Sequence, residues 1–354
     1  MNLFLIMSKT LKGLKGCTAV CAGLAVLAAG LVSCSHEPVP EREEVRRTLS
    51  FVLGEAPLTR ASVTPHEDVV SSLDVLCFRS SDGCLENSNR VVSAAGQSLS
   101  GINVEVGEGK ALDWFVVANA PAGALSYATE EAFLSGVTLL THSTATSFVM
   151  MGSGTLAQGA QSAPVEVGLD RYSCKVTVKE VVVDWPDAFT AYSSVTLGRV
   201  VLVNVVGSTP WSGQPADGGT WYNRMQPDYE APALVQDLTV RQFGIPVAQG
   251  VPVNVESPLY CMPNPVSNGV NSKNAPEWSP RSTRVAVELV LDGFPSWYPV
   301  DLPAMLCNRH YLIEKLVIKG PGSRGPDWPV ERDDMQFTVV VQPWVDGYVE
   351  PVYQ

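Results

Sequence analysis

The chain has 354 residues with 24 Lys+Arg against 36 Asp+Glu, a formal charge of −12, so nothing supplies the clustered basic groups that phosphate contacts to DNA or RNA require. Hydrophobic residues make up 45% of the composition and charged residues 17%, which is enough apolar side chain for a core and excludes global disorder. At roughly 100–200 residues per domain the length predicts two domains once a leader is set aside.

Residues 1–33 read as such a leader. Lys9, Lys12 and Lys15 form a positive region, and Cys17 to Val32 is an apolar run too short to span a bilayer comfortably. It closes on Leu31-Val32-Ser33-Cys34, which resembles the lipobox of bacterial lipoproteins and predicts Cys34 as the lipidated residue. Residues 34–47 are polar and Pro-containing, a tether that cannot bury enough apolar area to fold. Together they predict export to the envelope of a bacterium with an outer membrane.

Downstream the pattern is that of an all-β protein. Gly and Pro are frequent and helical apolar spacing is scarce. Thr48 to Leu53 alternates, so Leu49, Phe51 and Leu53 share one face of a short strand. Gly54 to Pro65 then breaks the pattern with two prolines and a lone basic residue, Arg60, in the kind of exposed stretch where proteolysis concentrates. Arg46 and Arg47 are competing basic sites, but a cut there would leave the first strand in place.

Strands follow at Val69–Phe78, ending in the turn Ser80–Gly83, at Ile102–Val106, and at Ala111–Ala118, whose unbroken apolar run predicts burial on both faces. A short helix is expected around Thr129–Leu134, and another strand at Ser147–Gly152. The Gly/Ala/Ser/Gln-rich stretch 152–163 is expected to end the first domain (48–163) and open the second (164–354). There Val165–Leu169, Cys174–Asp184, Ser194–Val206, Val285–Asp292, Tyr311–Lys319 and Met335–Trp344 have strand composition. The loop from Gly207 to Pro232 carries Trp211, Trp221 and Tyr222, either packed on itself or exposed as a contact surface.

No constellation for chemistry emerges. Beyond the leader and Cys34, the cysteines Cys77, Cys84, Cys174, Cys261 and Cys307 are odd in number and widely spaced, so they read as buried thiols and not as a disulfide framework or metal site. His36, His66, His142 and His310 belong to no metalloprotease or Ser-His-Asp signature. Gly320-Pro321-Gly322-Ser323-Arg324-Gly325 matches a dinucleotide-binding spacing, but Asp327-Trp328-Pro329 follows where a helix must open, so a turn between strands is expected. No catalytic residue, cofactor or metal is expected.

Several segments resemble the fimbrillins of Bacteroidetes type V pili, the FimA-like subunits. The C-terminal match is Arg309-His310-Tyr311-Leu312-Ile313-Glu314-Lys315-Leu316-Val317-Ile318-Lys319-Gly320-Pro321-Gly322 followed by Phe337-Thr338-Val339-Val340-Val341-Gln342-Pro343-Trp344. Supporting it in order are Val116-Val117-Ala118-Asn119-Ala120, Val149-Met150-Met151-Gly152, Arg171-Tyr172-Ser173-Cys174-Lys175-Val176 and Leu259-Tyr260-Cys261-Met262-Pro263-Asn264.

The resemblance implies two transthyretin-like β-sandwich domains with an exchangeable N-terminal strand and a C-terminal donor strand. It implies export as a lipoprotein, cleavage by a trypsin-like protease between Arg60 and Ala61, and polymerisation with other fimbrial subunits for adhesion or biofilm formation. The removable strand would be that of Leu49, Phe51 and Leu53. The donor would lie in 335–354, with Met335, Phe337, Val339, Val341 and Trp344 on it, or, if Phe337–Trp344 is the last strand of its own domain, at Tyr348–Tyr353. A lipid-retained anchor or tip subunit, and a surface lipoprotein binding glycans through Trp211 and Trp221, are the other readings.

Overall fold

The computed structural model describes residues 45–54, 67–94, 97–159, 163–214, 219–225, 236–271, 277–331 and 334–344. The expected leader, Cys34, most of the tether, Arg60, Ala61 and residues 345–354 lie outside them.

In chain order the first strands are β1 (Arg46–Leu53), β2 (Ser72–Arg79), β3 (Leu85–Val92), β4 (Gly101–Gly107), β5 (Leu112–Ala118), β6 (Val137–Leu139), β7 (Met150–Leu156), β8 (Val165–Val167) and β9 (Asp170–Arg171). Next come β10 (Cys174–Val183), β11 (Val195–Val203), β12 (Val205–Val206), β13 (Ser208–Pro210), β14 (Trp221–Tyr222), β15 (Val240–Pro246) and β16 (Val253–Cys261). The last are β17 (Arg284–Leu291), β18 (Phe294–Asp301), β19 (Arg309–Ile318) and β20 (Met335–Pro343). The described helices are short: α1 (Glu130–Ser135), α2 (Pro186–Ala191) and α3 (Gln236–Thr239). The Thr129 side chain accepts from the Ala132 amide and so starts α1 where the sequence places it.

The protein is all-β. Residues 46–171 build a three-stranded sheet, β4-β1-β8, and a five-stranded sheet, β3-β2-β5-β7-β9. Residues 174–343 build two four-stranded sheets, β16-β10-β19-β20 and β15-β11-β17-β18. Most neighbours are antiparallel, while β1 with β8 and β10 with β19 run parallel. A small sheet pairing β6 with β13 links the two halves, and one continuous apolar cluster runs from Leu49 through Val176 and Tyr260 to Trp344. Sheet membership therefore changes after Arg171, later than the expected boundary at 163/164. The Gly-rich composition of 152–163 suggested a linker, yet Met150–Leu156 fills the place beside β5, and Val165–Val167 fills the edge beside β1.

β5 is buried along nearly all its length, as its apolar run requires. Among the strands longer than three residues, four escaped the sequence reading: β3, β15, β16 and β18. Each lies at a sheet edge, where polar residues and prolines are tolerated because one row of backbone groups has no ladder partner. β16 holds Pro258, and β18 holds Pro295 and Pro299.

Candidate functional site

Two segments singled out in the sequence, β1 and β20, occupy topologically unlike positions. β1 is the middle strand of its sheet. Arg46 to Val52 pair antiparallel with Gly107 to Gly101, and Phe51 to Leu53 pair parallel with Val165 to Val167. The ends are pinned by Leu53 N donating to Ser100 O at 2.8 Å and Glu108 N donating to Val45 O at 2.7 Å. The alternation turns Leu49 and Phe51 fully inward, 2% and 0% exposed, with Leu53 half-buried against the same cluster. The Phe51 ring meets Trp114 of the facing sheet at 5.2 Å between centroids. Gly101, paired with Val52, lets β4 pass close to the β1 backbone, since a Cβ there would stand 2.4 Å from the Phe51 carbonyl oxygen.

The far side of β4 is covered differently. Asn87 and Asn89 of β3 each donate from Nδ2, to Glu105 O and Asn103 O, both at 2.7 Å. These bonds tie the rim of the facing sheet to β4. Lifting β1 out would thus leave a slot between β4 and β8 floored by apolar side chains.

β20 is an edge strand, antiparallel to β19. Met335, Phe337, Val339 and Val341 stand directly opposite Ile318, Leu316, Ile313 and Tyr311, so they share the face of a row that is 0–1% exposed. They are not covered to the same degree. Phe337 is 39% and Val341 49% exposed, and Met335 and Val339 are half-buried. At its end the strand is fastened: Trp344 is 3% exposed.

The fastening is a knot of charge and aromatic rings around Glu67, a residue the sequence reading passed over. Buried Glu67 accepts from Lys175 Nζ at 2.9 and 3.0 Å, from Tyr260 Oη at 2.5 Å and from Trp344 Nε1 at 3.0 Å. Arg171 lies over the Trp344 ring at 4.7 Å and donates to the carbonyls of Glu67 and Trp344. Phe148 and Tyr260 close the aromatic side, 5.1 and 5.6 Å from Trp344. Burial, then the Glu67 charge, push the Tyr260 hydroxyl well above the ordinary tyrosine range, so it stays a proton donor.

The segments that carried the resemblance meet at this knot. Phe148 precedes Val149-Met150, Arg171 and Lys175 come from the Arg-Tyr-Ser-Cys-Lys segment, Tyr260 comes from Leu-Tyr-Cys-Met-Pro-Asn, and Trp344 ends the chain of β20. Asn119, with φ 60°, closes the Val-Val-Ala-Asn-Ala segment and joins the same region, donating to Val69 O at 2.8 Å and Phe148 O at 2.9 Å. Nothing in the sequence near Glu67 marks it; it is one acid among many until the fold surrounds it.

Beside the knot, His310 of β19 bonds Thr177 Oγ1 at 2.9 Å and Gln342 Nε2 at 3.1 Å. Burial, reinforced by the Lys175 charge, lowers its pKa to about 3, so it is neutral near pH 7. Among the described residues no group of three or more His, Cys, Asp and Glu is arranged to hold a metal ion. Trp211 is 0% exposed, stacked on Phe133 at 5.8 Å with Tyr172 against its edge. Trp221 is half-buried and meets Trp278 at 5.2 Å. Trp211 therefore belongs to the core and is not the exposed glycan platform considered from sequence.

Residues 48–165 match the family described as "Major fimbrial subunit protein (FimA)". No curated protein matches the sequence. Among solved structures, a candidate cell adhesion protein of Bacteroides eggerthii DSM 20697 aligns with a TM-score of 0.60 at 17% identity, covering 85% of this chain and 96% of its own. A fimbrilin of Porphyromonas gingivalis W83 aligns at 0.58 and 15% identity, covering 85% and 98%. A candidate cell adhesion protein of Parabacteroides distasonis ATCC 8503 aligns at 0.57 and 14%, covering 87% and 98%. At these identities the three likenesses establish the fold.

Proposed function

We propose, from the match of residues 48–165 to the family described as "Major fimbrial subunit protein (FimA)", that the chain is a structural pilus subunit and not an enzyme, exported, matured by proteolysis and polymerised by strand exchange. One observation carries the reading: β1 is the central strand of its sheet and is followed by Arg60. A trypsin-like cut after Arg60 would separate β1 from the rest of the chain. Its departure exposes one ladder edge on β4 and one on β8, together with the apolar floor that Leu49 and Phe51 cover.

Refilling such a slot is favourable. Each apolar side chain reburied contributes roughly 1.5–3 kcal/mol and each new ladder bond nets about 1 kcal/mol, so several of each outweigh the association cost. The C-terminal segment 335–354 supplies the donor, either through the apolar row of Met335, Phe337, Val339 and Val341, which has the same period as Leu49, Phe51 and Leu53, or through residues beyond Trp344. Arg46 and Arg47 are poorer cleavage points than Arg60, since their backbone is engaged in the β4 ladder. Cys34 carries the lipid that holds the precursor at the outer membrane. Phe337–Trp344 pairs within its own sheet and ends in the Glu67 knot, and this favours, within 335–354, a donor that begins beyond Trp344 and includes Tyr348–Tyr353.

The test uses polymer formation. Arg60→Ala should leave an unpolymerised precursor, and a chain truncated after Asp334 should be cleaved yet stay monomeric. Ladders of polymer from either variant would refute the mechanism. Truncation after Trp344 separates the two donor assignments, since loss of polymer there puts the donor beyond Trp344. Palmitate-analogue labelling that persists in Cys34→Ala would remove the lipid anchor from the scheme.

A further inference from the structure

The five described cysteines, which looked isolated in sequence, are free thiols, but the fold brings two of them face to face. Cys174 opens β10 and Cys261 ends β16, and they are direct partners in the antiparallel ladder. Both are 0% exposed. As free thiols, Cys174 Sγ donates to Leu306 O at 3.1 Å and Cys261 Sγ to Met305 Sδ at 3.8 Å. Residues paired in this way have Cα atoms about 4.5–5.5 Å apart and side chains on one face, inside the roughly 4.4–6.8 Å window of a disulfide. A third thiol, Cys307, hydrogen-bonds Gly213 O at 3.9 Å and is not in that register.

We propose that Cys174 and Cys261 are a disulfide-forming pair, oxidised as the β10–β16 ladder closes in the exported chain. The compartment rests on the export reading above; the geometry does not. Once the strands are packed, both thiols are 0% exposed and burial holds the Cys174 thiol well above the ordinary range, so the folded pair is shielded from soluble oxidants. Oxidation therefore belongs to folding. The thiolate of one cysteine attacks an oxidised disulfide carrier, releasing one carrier thiol. The second cysteine thiolate then attacks the mixed disulfide and releases the other. Two protein thiols are oxidised, one carrier disulfide is reduced to two thiols, and the two protons pass from protein to carrier.

The position gives the bond a structural consequence. The next pair along the same ladder is Lys175 with Tyr260, the two residues that hold Glu67 from β10 and β16. A disulfide at 174–261 would staple the ladder one residue from the knot that fastens Trp344.

The experiment refolds the full chain from denaturant in reduced and oxidised glutathione, blocks free thiols with iodoacetamide and maps a non-reducing digest by mass spectrometry. A linked pair of peptides carrying Cys174 and Cys261 is expected, and Cys174→Ser should lack it. The oxidised wild type should also melt higher than the same chain refolded with reductant, a difference that Cys174→Ser abolishes. Both thiols alkylated, or Cys261 joined instead to Cys307, would overturn the proposal. The same digest on chain taken from the cell envelope and blocked at lysis separates the two ideas. A pair linked with glutathione but free in the cell upholds the pairing and counts against export.

Discussion

Gly101 and Phe51 form a single unit at the residue scale. A Cβ at 101 would fall 2.4 Å from the Phe51 carbonyl oxygen, and the obstacle is backbone, which cannot turn aside. Gly101→Ala should destabilise the intact chain by about 1–3 kcal/mol in chemical denaturation. It should cost much less in a chain that begins at Ala61, where β1 is absent. Equal effects in the two chains would show that the contact is not what matters. Glu67 has a different weight. Its carboxylate is buried with Lys175, Tyr260 and Trp344 as partners, and removing one member of a buried pair leaves the other with its desolvation unrelieved. Glu67→Ala should therefore cost on the order of 3 kcal/mol, read by the shift in denaturation midpoint at unchanged slope.

At the scale of elements, protonation acts where β10, β19 and β20 meet. His310 links β19 to Thr177 of β10 and Gln342 of β20, and its pKa is depressed by burial to about 3. In the unfolded chain the imidazole returns to about 6.5. Below that value the unfolded state takes up a proton that the folded state refuses, so stability falls as pH drops from about 6.5 towards 3 and is fully present above 6.5. The slope from this group is at most about 1.4 kcal/mol per pH unit. His310→Gln should flatten the stability profile between pH 6 and 4 by about one proton, and amide exchange at β20 should accelerate on acidification in the wild type more than in the variant. An unchanged profile would place the acid sensitivity elsewhere. The edge strands also explain why some elements were illegible. β18 has two prolines and β16 has one, and prolines argue against a central strand in sequence while being acceptable at an edge.

At the scale of the whole molecule, the slot between β4 and β8 is the feature that assembly would use. A chain spanning Ala61 to Trp344 loses the burial of Leu49 and Phe51, roughly 3–6 kcal/mol, and should melt well below the intact chain. A synthetic peptide of residues 335–354 should bind it and raise the midpoint in proportion to occupancy. The intact chain, with β1 in place, should not respond. Binding by the intact chain would mean that the peptide adds to an edge and does not fill the slot.

Strand period and composition were enough to determine an all-β chain, the inward row of Leu49, Phe51 and Leu53, the doubly buried β5 and the short helix α1, because side-chain alternation and burial are local consequences of residue order. The ordered motifs from Val116 to Trp344 also determined the family resemblance. Tertiary structure alone decided what those motifs are for in space: that Phe148, Arg171, Lys175, Tyr260 and Trp344 close around Glu67, that β1 is a middle strand and β20 an edge strand, and that Cys174 faces Cys261. Ladder order and cross-strand register are set by contacts between residues far apart in the chain, and no local pattern encodes them.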